Sequence, residues 1–156
     1  MPQYESIWAD GVPAKINKED ILTPENILSM CIRFTIEQTL KDKGYEVVGI
    51  NGKVTELPNI VIKKEDKMYA LVVVPCIYPN YMRQNDNLRI DFVNGCIKQN
   101  LTPVICPVLI HSTDKERALK SVMLKGDTFK ISSLGQEILT NEPKQELALN
   151  TLKFKF

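Results

Sequence analysis

The chain has 156 residues, of which 44% are hydrophobic and 25% are charged, and its formal net charge is +1 at pH 7. These totals are typical of a single folded domain, and they exclude a chain that is disordered throughout. They provide no bulk positive field that would attract nucleic acid or an anionic membrane. The longest apolar run, 70–74, is far shorter than a membrane span of about 20 residues. With no secretory signal at the N-terminus, a cytoplasmic location is expected.

The first predicted element is a helix over 24–43, which follows an N-terminal arm at 1–22. Thr23 is a good N-cap, and Pro24 suits the first helical position. Apolar residues then recur with the 3.6-residue period of a helix. Gly44 is a natural stop just beyond the last turn.

Three extended runs follow, at 45–50, 59–63 and 68–74. Asn51-Gly52 follows the first run and predicts a type I′ turn, after which residues 53–56 are expected to pair back briefly. The third run is apolar without alternation, which predicts a central strand covered on both faces.

A second helix is predicted over 80–99 and a further strand over 102–110. Because proline has no backbone N–H, Pro75 predicts that pairing ends or bulges there. Pro107 likewise predicts an edge position or a bulge. The apolar stripe of the helix is predicted to comprise Tyr81, Leu88, Phe92, Val93, Cys96 and Ile97.

The remaining residues, 112–156, are predicted to form a C-terminal extension. A helix at 114–122, a short strand at 128–131 and a helix-prone segment at 144–152 are expected there. Ser133, with Gln136 three residues later, matches a capping box and predicts a short helix at 134–140.

The four cysteines lie in apolar surroundings and none forms a Cys-x-x-Cys pair. A four-cysteine zinc site shows two close pairs of cysteines, so this pattern argues against one. We expect buried, reduced thiols at Cys31, Cys76, Cys96 and Cys106. Neither a metal nor a cofactor is predicted.

The order helix, strand, strand, strand, helix, strand resembles the core of the PD-(D/E)XK nucleases, the fold of many restriction endonucleases. The stretches GYEVVGI, PNIVI and MYALVVV are similar to its first three strands. The resemblance implies an α/β fold with a central mixed four- to five-stranded sheet flanked by helices. The restriction endonuclease-like αβββαβ core would span 23–111 of a single domain at 1–156.

In that family an Asp at the start of the second strand and a Glu-x-Lys triplet on the third hold a divalent metal. By resemblance, these positions fall on Asn59 and on Val72 and Val74. None of the three supplies an anionic ligand or a positive charge. The resemblance therefore implies vestigial positions and a catalytically inactive domain.

Four other residues are candidates for chemistry. Glu37 lies where the nuclease fold sometimes adds an acidic ligand, but a solvated helix charge is the simpler interpretation. In a divergent metal-dependent nuclease, the ligands would be displaced to Glu37, Glu46 and Glu56. His111 follows an apolar strand, where α/β folds place ligands, but it has no visible partner.

Aromatic and arginine side chains at the start of the second helix are candidates for a binding surface, since both types are enriched in binding hot spots. The alternative is a helix whose tyrosine packs on the sheet. The leading hypothesis is a protein- or ligand-binding domain, acting as a homodimer or with a protein partner. A nucleic-acid-binding relic is the third hypothesis, and the net charge argues against it. The residues of the candidate surface are Tyr78, Tyr81, Arg83 and Arg89.

Overall fold

The computed structural model describes residues 18–41, 43–77, 86–114 and 123–143. Among these residues no helix is long and apolar enough to cross a membrane. A short 3₁₀ turn at Lys18–Asp20 precedes the main elements. These are α1 (Pro24–Phe34), β1 (Glu46–Ile50), β2 (Ile60–Lys64), β3 (Lys67–Ile77), α2 (Asp86–Lys98), β4 (Leu101–Ser112), β5 (Phe129–Ser133) and β6 (Glu137–Ile138).

The strands form one mixed, six-stranded sheet in the order β1-β2-β3-β4-β5, with β6 also paired to β4. Strands β1, β2 and β3 are antiparallel neighbours, whereas β3 and β4 run parallel and are connected through α2. The predicted α/β class and mixed sheet are confirmed. The predicted count of four to five strands is too low, because β5 and β6 from the C-terminal part join the same sheet.

Strand β3 lies in the middle of the sheet and is buried on both faces, as its unbroken apolar run predicts. Leu71 and Val73 belong to the larger core, which packs beneath α1. Val72 and Val74 belong to the smaller core beneath α2. Alternate residues of one strand therefore serve two separate hydrophobic layers.

Helix α1 begins where the sequence predicts. Asn26 N donates to Thr23 Oγ1 at 3.1 Å, and Thr23 N donates to Asn26 Oδ1 at 3.2 Å. The predicted helix to residue 43 is too long and too regular, because Thr35–Leu40 is π-helical. Thr35 Oγ1 donates to Cys31 O at 2.8 Å at the point where the winding changes. Gly44 follows with a φ of +80°.

Two prolines lie inside β3 and β4, contrary to the prediction. Pro75 pairs with β4 four residues after the ladder with β2 has ended at Leu71, so only one side of the strand is still bonded there. Pro107 is not at a sheet edge. Strand β4 pairs with β6 up to Ile105 and with β5 from Val108 onward, so Pro107 lies where β4 changes partner.

The turn predicted at Asn51-Gly52 and the helix predicted at 134–140 do not form. Asn51 and Gly52 lack the positive φ that a type I′ turn requires, and a longer loop at 51–59 joins β1 to β2. No helix forms at 134–140. Gly135 has a φ of +95°, and the next residues form β6 because they pair with β4.

The predicted apolar stripe of the second helix is only partly correct. In α2, Val93 and Cys96 are buried, but Leu88 and Ile97 are exposed. Residues 1–17 of the predicted arm at 1–22, residues 80–85 of the predicted second helix, and residues 115–122 of the predicted helix at 114–122 lie outside the described residues. The predicted helix-prone segment at 144–152 lies outside them entirely.

Candidate functional site

Asn59, which the sequence resemblance aligns with the first acid of the nuclease family, immediately precedes β2 and is 2% exposed. Its side-chain Oδ1 accepts from Val73 N at 2.8 Å, and its Nδ2 donates to Asn51 O at 3.3 Å. Its backbone N donates to Leu71 O at 2.8 Å. The amide therefore joins the start of β2 to β3 and to the loop after β1, using its oxygen and its nitrogen.

The structure brings Asn59 beside the segment that the resemblance aligns with Glu-x-Lys, since the amide bonds to Val73, the residue between Val72 and Val74. These valines are 5% and 7% exposed, and they pack with Val93 of α2 and with Leu139. Aliphatic side chains in a packed layer can neither ligate a metal nor orient a water molecule. Val72 and Val74 thus contribute hydrophobic burial alone.

The three acids of the displaced-ligand hypothesis do not converge. Glu37 is exposed on the π-helical turn, and Glu46 is exposed at the start of β1, opposite Lys63. Glu56 lies in the loop beyond the far end of β1. Four residue steps along the strand separate its two ends by about 13 Å. Among the described residues, no three His, Cys, Asp or Glu side chains are grouped to hold a metal ion.

Glu56 instead belongs to the loop network around Asn51. Asn51 Nδ2 donates to Glu56 Oε2 at 2.6 Å, and Lys53 Nζ lies 3.7 Å from Glu56 Oε1. The hydrogen bond from Asn51, assisted by the Lys53 charge, lowers the pKa of Glu56 below its usual value. Its carboxylate therefore stays ionised next to the Asn51 amide at neutral pH.

His111 lies one residue before the end of β4, as predicted, and its Nδ1 is 3.0 Å from Ser112 O. Ser112, which the sequence pattern did not single out, is buried and donates from Oγ to Asp127 Oδ2 at 3.0 Å. Asp127 also accepts from Leu124 N. A serine, a histidine and an aspartate are thus close together, but the serine bonds to the aspartate without the histidine between them. This is not the relay that nucleophilic catalysis requires.

Arg89 is not the surface residue that its place in the sequence suggested. It is 3% exposed, and its Nη2 donates to Glu142 O at 2.8 Å. Its Nη1 donates to Thr140 O. Arg89 therefore holds α2 against the segment after β6 instead of facing a partner. Tyr78, Tyr81 and Arg83, the other residues of that candidate surface, lie outside the described residues.

The four cysteines are buried and free, as predicted. Burial, with a smaller contribution from Cys76, raises the pKa of Cys31 to about 12. Burial also raises the pKa of Cys106 and of Cys96. Since the thiolate is the reactive form, these cysteines are poor nucleophiles and poor metal ligands in the folded chain.

A family model described as a domain of unknown function, DUF8840, matches residues 26–138. The chain belongs to the DUF8840 family. The matched span starts in α1 and ends with β6, so it contains the whole sheet and the Asn59 network. Neither the curated proteins nor the solved structures contain a match to this chain.

Proposed function

We propose that this DUF8840 chain is a catalytically inactive domain with a degenerate restriction endonuclease-like core, and that it acts by binding a protein or another ligand. The order of its elements supports the first part. A helix precedes three antiparallel strands, and a crossover helix then leads to a strand parallel to the third. This is the arrangement that the sequence resemblance implies.

The observation that carries the proposal is the bonding of Asn59. A metal ligand needs a lone pair directed toward the ion, but Asn59 Oδ1 is directed toward Val73 N and Nδ2 toward Asn51 O. A carboxylate here would place an oxygen against the Asn51 carbonyl oxygen, which repels it. The amide is therefore suited to joining strands, and the position has exchanged a catalytic role for a structural one.

A binding role is supported by apolar side chains exposed around β1 and the loop after it. Ile50 is 61% exposed and Val48 is 46% exposed, and Val54 and Leu57 are exposed in the loop. Strand β1 is the end strand of the described sheet. Exposed aliphatic side chains on an end strand and on the loop that follows it are suited to contact with a protein partner.

The proposal is tested by thermal melting of the full chain with and without Mg²⁺ or Mn²⁺. A specific site at 100 times its dissociation constant would stabilise the chain by about 2.7 kcal/mol. We expect neither ion to raise the melting temperature of the wild type above that of the triple variant Glu37→Gln, Glu46→Gln, Glu56→Gln. That variant removes the three acids of the competing hypothesis, all of which are exposed.

A plasmid-nicking assay with the same two proteins completes the test. We expect no nicking by either protein. Metal-dependent nicking by the wild type that the triple variant loses would contradict the proposal and support a nuclease with displaced ligands. Plasmid retention without nicking would instead support the nucleic-acid-binding relic.

A further inference from the structure

The chain contains two Asn-Gly pairs, and the structure places them in different backbone environments. Asn51-Gly52 lies in the loop after β1, whereas Asn94-Gly95 lies inside α2. In an Asn-Gly pair the glycine backbone nitrogen can attack the asparagine side-chain carbonyl, because glycine has no Cβ to hinder the approach. The reaction requires a backbone that can bring these two atoms together.

We propose that Asn51 is a site of spontaneous deamidation, and that its conversion disconnects the loop from Asn59. The Gly52 nitrogen forms a bond to Asn51 Cγ, the bond from Cγ to Nδ2 breaks, and ammonia leaves with the proton from the Gly52 nitrogen. Water then opens the cyclic imide at either carbonyl and gives aspartate or isoaspartate. The overall reaction consumes one water molecule and releases one ammonia, without an oxidant or reductant.

The local geometry favours the attack at Asn51. Lys53 N donates to Asn51 Oδ1 at 3.0 Å, which closes an Asx turn around the Gly52 peptide. The turn folds the side-chain carbonyl toward Gly52, and the Lys53 N–H donates to the oxygen on which negative charge develops during attack. Among the residues that the structure describes, and apart from the chain neighbours of Gly52, only Ser29 Oγ lies within 4 Å of a Cβ built on Gly52, so space remains around this residue.

Glu56 restrains the reaction. Its carboxylate accepts from Asn51 Nδ2 at 2.6 Å, and this hydrogen bond makes the amide more electron-rich and holds it in place. Both effects oppose attack at Cγ and departure of the nitrogen. The conversion is therefore slow while Glu56 is ionised and faster when the carboxylate is removed.

The product breaks the network on both sides of residue 51. A new carboxylate replaces the Nδ2 donor and faces the Glu56 carboxylate, and isoaspartate also lengthens the backbone by one carbon. Asn51 N donates to Asn59 O at 2.7 Å, and Asn51 O accepts from Asn59 Nδ2. Displacing these groups removes the two bonds between Asn51 and Asn59 and leaves only the bonds of Asn59 to β3. The Asn59 side-chain nitrogen is then left without its acceptor in a buried position, where it cannot turn to water.

Asn94 provides an internal control for this selectivity. Helical backbone angles point the next amide nitrogen along the helix axis, where it bonds to a carbonyl four residues earlier, and away from the side chain. Asn94 Oδ1 accepts instead from Asn141 Nδ2 at 3.0 Å. The folded chain should therefore convert residue 51 and preserve residue 94, although both precede glycine.

The experiment incubates the full chain at mildly alkaline pH and follows both sites by peptide mass mapping. We expect residue 51 to convert roughly tenfold faster than residue 94, a difference of about 1.4 kcal/mol in barrier. In urea the two sites should convert at similar rates. Glu56→Ala should accelerate conversion at residue 51 and leave residue 94 unchanged, and Gly52→Ala should slow it.

Two results would overturn the inference. One is residue 51 remaining an amide in the folded chain under conditions that convert it fully in urea. The other is equal conversion at residues 51 and 94 in the folded chain. The effect of the conversion on Asn59 is checked separately with the variant Asn51→Asp. This variant should unfold at a lower temperature than the wild type. An unchanged melting temperature would contradict the proposed disconnection of Asn59.

Discussion

Asn59 is a single side chain that holds three segments together, because its donor and its acceptor are both satisfied inside the protein. The oxygen binds Val73 on β3 and the nitrogen binds Asn51 in the preceding loop. A buried amide in this position is costly to lose, since each unpaired group then lacks a partner away from water.

The substitution Asn59→Asp tests this role directly. At neutral pH it should lower the free energy of unfolding by about 1–3 kcal/mol, because an acceptor replaces the donor that faced Asn51 O. Burial and the facing carbonyl raise the pKa of the new carboxyl, outweighing the single Val73 N–H. The protonated form can again donate, so the deficit should be smallest at acid pH and grow as pH rises through the folded pKa.

Asn94→Asp is the matched control for this measurement. Asn94 is exposed and accepts a hydrogen bond through Oδ1, which a carboxylate also does. Its unfolding free energy should stay within about 0.5 kcal/mol of the wild type. Urea unfolding at several pH values gives both results, and equal losses in the two variants would show that Asn59 has no special role.

At the scale of elements, Arg89 joins α2 to the segment after β6. It donates to the backbone oxygens of Thr140 and Glu142, more than fifty residues away in the chain. Strand β6 has only two residues and pairs with β4 at two positions, so the segment after it has little pairing nearby. The bonds from Arg89 therefore help to hold this segment in place. The arginine thus couples α2 to the segment after β6, which is distant from it in the sequence.

Replacing Arg89 with Met should therefore loosen the C-terminal segment. We expect the free energy of unfolding to fall by about 2 kcal/mol, because two carbonyls lose a charged donor. Amides in β6 should also exchange faster with solvent. Arg33→Met, an exposed change on α1, is the control and should change stability by less than about 0.5 kcal/mol. No difference in exchange at β6 between the two variants would contradict this coupling.

The elements that sequence reasoning predicted well are those whose signals are local. The N-cap at Thr23 and the unbroken apolar run of β3 each depend on a few adjacent residues. The capping box at Ser133 failed although it too is local. Pairing of the following residues with β4 decided their conformation instead.

The candidate site was predictable only in part. The resemblance assigned Asn59, Val72 and Val74 to one vestigial site, and the structure places Asn59 beside Val73, between the two valines. The sequence alone does not show that the Asn59 nitrogen donates to Asn51, or that Arg89 is buried. Both contacts depend on carbonyls from other segments, and a charged or polar residue is ordinarily expected at the surface.

For the molecule as a whole, the buried thiols link stability to alkaline pH. The pKa of Cys31 is raised to about 12 in the folded chain, and that of Cys106 is also raised, whereas a thiol in an unfolded chain titrates near pH 8.5. Between these values the unfolded chain binds fewer protons than the folded chain. The stability from each thiol is therefore complete below about pH 8.5 and is lost as pH rises toward the folded pKa.

We expect the free energy of unfolding to fall by about 1.4 kcal/mol per pH unit for each such thiol between about pH 9 and 10. Cys31→Ala should make this slope shallower by one thiol's contribution, whatever its effect on absolute stability. Chemical unfolding across that range measures the slope. A slope that is the same in wild type and Cys31→Ala would show that the Cys31 thiol ionises equally in both states.

The parallel pairing of β3 with β4 also affects how the chain is made. Residues 68–77 pair with residues 101–110, so a ribosome must add the whole of α2 before the second partner of β3 exists. During that interval the nascent chain carries an apolar strand whose one edge is open to other chains. Synthesis that stalls before β4 is complete should therefore yield a fragment that aggregates.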